Sequence, residues 1–450
     1  MRPTLSSRFA LTALAALCIS SLPGMAAAQS LQELYDAARA FDGTYLAAKA
    51  SAQSAEYRAA QSDSLNRPSA AMTASVSGDR TDPAGSNPVT RSALGADLSY
   101  VGSASVNGKY PIFNRSNGPA IEKARKGVVA AQAELDAAEQ DLILRVAQAY
   151  FDVLGAQDTL GTTRASKAAI TEQLASAKRN FEVGTATITD TREAQARFDL
   201  ATAQEIAADN DLRTKRVSLD TLVGRSGVTP KPLLVPVVLP SPMPADAEAW
   251  VSQADTQHPT VRRARISLDL AQLDTQIARA AEAPTVDAVA SLGASSQHKS
   301  IYSNNGSGNR ASVGVQLNWP LYTGGATQNR IKETLALEDK ARNDLEAARR
   351  GISGGSRVAY FGVQSGLAQV KALEAAESSS KLALEATQLG YKVGVRVNLD
   401  VLNAQTQLFT TQRDLAKTRY DVLLGGLKLR QASGQLLPTD VDSVNRLLAK

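Results

Sequence analysis

Residues 94–110 read Leu-Gly-Ala-Asp-Leu-Ser-Tyr-Val-Gly-Ser-Ala-Ser-Val-Asn-Gly-Lys-Tyr. Leu94, Ala96, Leu98, Tyr100, Gly102, Ala104, Val106 and Tyr110 alternate with Gly95, Asp97, Ser99, Ser103, Ser105, Asn107 and Lys109. A period of two puts small aliphatic groups on one face of a strand and hydroxyl, amide and charge on the other. The same alternation precedes it at Met72, Ala74 and Val76 against Thr73, Ser75 and Ser77, across a turn-rich segment from Asp79 to Arg91. It returns at Val286, Ala288, Ala290 and Leu292, and at Val313, Val315, Leu317, Trp319 and Leu321, with a polar loop expected from Ser295 to Arg310.

These strand pairs belong to a duplicated pattern. Phe181-Glu182-Val183-Gly184 recurs 210 residues later as Tyr391-Lys392-Val393-Gly394, Ala149-Tyr150-Phe151 as Ala359-Tyr360-Phe361, and Asp190 falls opposite Asp400. Tyr110-Pro111-Ile112-Phe113 is answered by Trp319-Pro320-Leu321-Tyr322. Matches in one register point to two copies of one unit. The expected organisation is a signal peptide at 1–28, a first repeat at 29–240 and a second at 241–450. Pro230, Pro232, Pro236, Pro240, Pro242 and Pro244 make the junction an extended connector.

Each repeat begins with a helix, the first over Ser30 to Asn66 ahead of Pro68. After the strands the period becomes helical. Leu135, Leu142, Val146, Ala149, Val153, Ala156 and Leu160 step by threes, fours and sevens, as do Leu345, Ile352, Ala359, Val363 and Val370. No proline falls between Pro119 and Asn180, so one helix of about 60 residues would reach about 90 Å. Further helices are expected from Thr189 to Leu222 and from Leu399 to Ser433. Helices of this length need neighbours along their whole extent, as in a coiled-coil array.

The 450 residues carry 49 Lys+Arg and 44 Asp+Glu, with 5% aromatic residues, two His and one Cys. So few His and Cys give no basis for a zinc site or a Cys/His catalytic pair. Arg2, Arg8, the apolar run Phe9 to Leu22 and Ala26-Ala27-Ala28 form a secretory leader with cleavage before Gln29. Leu17 stands before Cys18 where a lipid anchor would want a small residue, so Cys18 reads as part of the apolar run. The mature chain then has no cysteine, which suits an oxidising compartment. Ser378-Ser379-Ser380-Lys381 lacks the companion motifs of a serine hydrolase. Gly351, Gly354 and Gly355 lack the Lys-Ser/Thr of a phosphate loop and read as small-residue helix contacts. His258 and His298 read as surface residues, and Arg262, Arg263 and Arg265 as a solvated helix face rather than a nucleic-acid site. No cofactor or metal is expected.

Two architectures accommodate the strands: a small sandwich in a soluble periplasmic coiled-coil adaptor or scaffold, and spanning strands of a membrane barrel. Tyr100, Tyr110, Trp319 and Tyr322, at the ends of the apolar faces, favour the barrel as interfacial aromatics. Four strands cannot close a barrel, and an open edge in lipid leaves backbone groups without partners, so several copies must share one cylinder.

At this point the sequence resembles the TolC family of outer-membrane exit ducts over essentially the whole mature chain. The resemblance is carried by Phe181-Glu182-Val183-Gly184 through Ile188-Thr189-Asp190, by Gly390 through Gly394 and Arg396, by Asp400-Val401-Leu402 and by Arg419-Tyr420. It implies a homotrimer whose twelve strands form a barrel in outer-membrane lipid, continued by an α-helical tunnel in the periplasm. It implies docking to a periplasmic adaptor and an inner-membrane pump, for efflux of small toxic compounds or type I protein secretion. It also implies a gate at the tunnel tip: Tyr391 bonding across to Asp190, Arg396 to the Thr189 region, and Asp400 forming a ring of three carboxylates in the pore. Asn403 stands one turn after Asp400 where the family pattern has a second aspartate, which weakens the expected binding of blocking cations. Both aspartates also lie at helix starts, where an acid caps free N–H groups whatever the function.

Overall fold

The protein is described by a computed structural model covering residues 28–81, 97–298 and 306–449. The expected leader, apart from Ala28, lies outside the described residues, as do Leu94, Ala96 and the turn segment from Asp82 to Arg91. The elements are α1 (Leu31–Phe41), α2 (Gly43–Ser62), a 3-10 turn (Asp63–Asn66), β1 (Ser69–Thr81), β2 (Asp97–Asn114), α3 (Asn117–Glu182) and α4 (Ile188–Val223). They continue as α5 (Ala247–Gln257), α6 (Pro259–Ala280), β3 (Thr285–His298), β4 (Gly306–Asn318), α7 (Ala326–Lys392), α8 (Asn398–Ala432) and α9 (Pro438–Asn445). Among the described residues no helix is long and apolar enough to cross a membrane.

The chain divides into two compact units, and both sequence repeats contribute to each. One unit holds residues 47–138 and 252–354, including the whole sheet. Its strands run in the order β1-β2-β3-β4, every neighbouring pair antiparallel. Register places Met72, Val106, Leu292 and Ala311 in one row across the sheet, and Thr73, Ser105, Gly293 and Arg310 in the next. Antiparallel partners share a face, so the apolar and hydroxyl residues segregate to opposite sides. The hydroxyl side bonds to itself: Thr73 to Ser105 at 2.8 Å, Ser75 to Ser103 at 2.8 Å and Ser291 to Ser312 at 2.7 Å. On the same side the Lys109 Nζ lies 2.8 Å from the Asp287 carboxylate. A register shift between Pro111 and Phe113 keeps Phe113 on the side of Tyr110.

The apolar side is uncovered. Val76 is 84% exposed, Val313 89%, and Met72, Leu292, Val315 and Leu317 are also exposed. A solvent-facing band of this kind in a soluble domain would be a liability. The sheet also corrects expectations in three places, the first being Asp79 to Thr81, expected within the turn and found paired with Ser99 to Asp97 in β2. Ser295 to His298 and Gly306 to Arg310, expected as loop, are strand, because each pairs in register with β2 or across the β3–β4 hairpin. Trp319, Leu321 and Tyr322, expected at the end of β4, lie past its last residue, Asn318; the Trp319 indole N–H donates instead to the Glu282 carbonyl at 3.2 Å.

Helices of this unit are joined by ion pairs, Lys123 with Asp274 at 2.6 Å and Lys126 with Asp269 at 2.7 Å. Arg262 reaches Asp136 at 3.2 Å and Arg263 reaches Glu134 at 4.0 Å, so these arginines tie α6 to α3 rather than merely facing solvent. His258 is half-buried and caps α6, its Nδ1 accepting from the Thr260 N–H at 3.1 Å; burial lowers its pKa. Among the described residues Gly351, Gly354 and Gly355 meet nothing within 4 Å at an added Cβ, so the expected small-residue contact is not made there.

The second unit holds the described residues up to 46, 139–251 and 355–449. Leu142, Ile143, Val146, Ala147, Tyr150, Val153 and Leu154 are buried on one stripe of α3 at three- and four-residue spacing. Phe151 stacks on Tyr420 with centroids 5.7 Å apart, and the Tyr420 hydroxyl donates to Asp158 at 2.6 Å. The Pro-rich connector follows an extended path, bridged at Gln29–Pro230 and Leu233–Leu448. Tyr150 donates to the Lys231 carbonyl at 2.9 Å.

Candidate functional site

Of the segments singled out by the duplication, Phe181 to Gly184 with Asp190 and Tyr391 to Gly394 with Asp400 lie at two turns, α3 to α4 and α7 to α8, both in the second unit. Gly184 and Gly394 adopt φ of +78° and +79°, a left-handed conformation that lets a helix end. In the first turn the Asn180 carbonyl accepts from Thr185 at 2.8 Å and Ala186 at 3.1 Å. In the second the Gly390 carbonyl accepts from Val395 at 2.9 Å and Arg396 at 3.1 Å. Equal hydrogen bonding in both copies explains why Val-Gly recurs: each copy reverses its helix with the same cap.

The acids at the following helix starts act as caps. Asp190 accepts from the Thr187 N–H at 2.9 Å and its hydroxyl at 2.7 Å, while Thr189 bonds the Thr187 hydroxyl. Asp400 stands at the matching position of α8 and accepts from the Val397 N–H at 3.5 Å.

The links between the α3/α4 pair and the α7/α8 pair differ from those the resemblance implied. Tyr391 does not meet Asp190; its hydroxyl accepts from the Asn180 side-chain amide at 3.1 Å. Asp190 is already engaged by its own capping box, which leaves Tyr391 to the neighbouring helix end. Arg396 does not reach Thr189; it lies 3.6 Å from Asp400, one turn along its own segment, with its stem over Gly390. Asn403 accepts from Arg197 at 3.1 Å. Asn398, only 2% exposed, accepts from Gln173 and donates to the Asp190 carbonyl at 3.5 Å. Beneath this polar layer Leu402 packs with Ile170, Leu174, Ala177, Ala194 and Ala201.

The sequence singled out Tyr391, Arg396, Asp400 and Asn403 but not Asn180, Gln173, Asn398 and Arg197, which join them at the turns. Asn398 had a signal: its counterpart in the first copy is Ile188, so a polar side chain replaces an apolar one at a helix start. A neutral hydrogen bond of this kind is worth about 1 kcal/mol net. Among the described residues no cluster of His, Cys, Asp and Glu could hold a metal ion.

A family described as "Outer membrane efflux protein" matches residues 34–225 and 250–435. The outer membrane protein TolC of Vibrio cholerae is 34% identical over 420 residues, covering 93% of each chain. TolC of Escherichia coli K12 is 30% identical over 379 residues, 79% of this chain and 77% of that one. The alkaline protease secretion protein AprF of Pseudomonas aeruginosa is 34% identical over 359 residues, 77% and 72% of the two chains. The fold is shared with the solved outer membrane protein VceC of Vibrio cholerae, at TM-score 0.75 and 20% identity over 90% of this chain and 96% of that one. It is shared likewise with the CmeC outer membrane channel of Campylobacter jejuni, at TM-score 0.75 and 16% identity over 93% and 90%. The exposed apolar sheet and these relatives together set aside the soluble scaffold. The chain belongs to the outer membrane efflux protein family and serves as an outer-membrane channel for efflux or secretion.

Proposed function

We propose that three copies close one twelve-stranded barrel, apolar faces to lipid and hydroxyl faces to a water-filled lumen, and that the long helices continue it as a periplasmic tunnel. The observation that carries this is the four-stranded sheet, uncovered on its apolar face and bounded by β1 and β4, neither of which has a second neighbouring strand among the described residues. Backbone groups on such edges must find partners in lipid, and identical sheets joined edge to edge supply them. Tyr100 and Tyr110, ten residues apart on the apolar side, are about 33 Å apart along β2. A strand tilt of about 40° projects this to about 25 Å, the height of an outer-membrane apolar band. Tyr100 and Tyr110, with Trp319 and Tyr322 past the end of β4, then sit at the lipid interfaces.

The tip is the gate in this proposal. Asn180–Tyr391, Gln173–Asn398 and Arg197–Asn403 hold one helix pair against the other, Thr189 and Asp190 shape the turn, and Arg396 restrains Asp400. A threefold ring of Asp400 selects cations, and with Asn403 engaged by Arg197 the ring has one carboxylate per chain. The duct is passive and non-enzymatic, and works with a periplasmic adaptor and an inner-membrane pump. Relatives named for efflux and for protease secretion leave both small toxic compounds and exported polypeptides as its cargo class.

Planar-bilayer recording of the full chain tests the reading. Discrete cation-favouring conductance is expected, rising severalfold when Tyr391→Phe and Arg396→Ser are combined. A purified chain without conductance overturns the channel, and unchanged conductance in the double variant overturns the gate alone.

A further inference from the structure

We infer that Arg310 places a ring of positive charge in the barrel lumen that concentrates anionic solutes, opposite in sign to the carboxylates of the tip. The inference rests on the barrel reading above. Arg310 pairs with Gly293, which stands beside Ser105 and then Thr73, so it belongs to the hydroxyl face. It is exposed, and among the described residues it makes no ion pair. Gly293 across from it and Gly308 two residues before it carry no side chain, which leaves the guanidinium uncovered.

The other charges on that face do not cancel it. Lys109 is neutralised by Asp287 at 2.8 Å. Asp97 lies farther off, eight residues along β2 from Ser105, and Asp79 lies six residues along β1 from Thr73 in the Arg310 row, about 20 Å away. That is about two Debye lengths in 0.1 M salt, so its field at Arg310 is largely screened. Each chain therefore contributes at mid-sheet one positive charge without an ion-pair partner among the described residues. Three such charges about 10 Å from the pore axis, in water at 0.1 M salt, raise the local anion concentration roughly twofold and lower the cation concentration equally. Carboxylates and phosphates gain further from the planar donor fork of arginine. Neither the tip nor the helix turns supplies this preference, so the duct has two selectivity stages of opposite sign.

Reversal potentials in a potassium chloride gradient test this on the full chain in planar bilayers. R310Q, R310S and R310K are compared with the unaltered chain, each with and without Y391F/R396S to remove the resistance of the tip. R310Q and R310S are expected to lower the chloride-to-potassium permeability ratio by roughly twofold or more, while R310K keeps it. Reversal potentials unchanged in both neutral variants and both backgrounds overturn the ring. A loss in R310K equal to that in R310Q also overturns it, because charge would then not be the cause. Absence of conductance in the unaltered chain overturns the barrel reading itself and the inference with it.

Discussion

Asp42 shows how single side chains set the pH response of the helical unit. It stands between α1 and α2, accepts from the Tyr45 N–H at 2.8 Å, and receives the Arg145 guanidinium at 2.8 and 3.0 Å. The carboxylate is 9% exposed, and the Arg145 hydrogen bonds hold its pKa below the ordinary range against the opposing effect of burial. Because the folded pKa is the lower one, the unfolded chain binds more protons in acid. The stabilisation is thus present above about pH 4 and lost as pH falls through the folded value. Arg145→Met should leave a buried carboxylate without its partner and cost about 3 kcal/mol at neutral pH. Thermal melting in detergent from pH 7 down to pH 3 should show the gap between variant and unaltered chain narrowing below about pH 4. A gap independent of pH would mean that packing, not charge, dominates there.

At the scale of elements, the two tip turns are the same device used twice, and the device depends on left-handed glycine. Gly184 and Gly394 face open space, so an added Cβ meets no neighbour and only the backbone conformation resists it. Alanine at either position should cost about 1 kcal/mol locally. Gly394→Ala should also raise hydrogen exchange at Val395 and Arg396, whose N–H groups bond the Gly390 carbonyl, while leaving the middle of α7 protected. Slowed or unchanged exchange at those two amides would contradict the role given to the turn. The long helices were legible because sequence states them plainly: no proline interrupts α3 from Ala120 to Glu182, and its apolar stripe keeps one period. The strand ends were not legible, because Ser295-Ser296-Gln297-His298 and Gly306-Ser307-Gly308-Asn309 have the composition of a turn and become strand only through pairing with partners. The partner of Tyr391 was likewise hidden. Nothing local distinguishes Asn180 from Asp190 as its hydrogen-bond partner; the choice is made by the capping box that occupies Asp190 and by how two distant helix ends meet.

For the whole molecule, the decisive question is which environment each face of the sheet occupies, and adjacent residues of one strand answer it. Ser312 and Val313 sit side by side in β4, on opposite faces, both exposed within the chain. In any arrangement where both faces meet water, arginine at either position would be tolerated alike, since neither displaces a packed neighbour within the chain. In a lipid-embedded barrel the two substitutions part company. Arginine on the lipid face near the membrane midplane costs about 2–4 kcal/mol per chain, whereas on the lumen face it meets water. In the proposed trimer that difference is multiplied, because every subunit carries the same lesion. Val313→Arg should therefore deplete the outer-membrane fraction of heat-modifiable trimers, while Ser312→Arg assembles at near the unaltered level and shifts reversal potential toward anions. Equal assembly of both variants would mean that Val313 does not face lipid, and a collapse confined to Ser312→Arg would mean that the sheet is turned inside out.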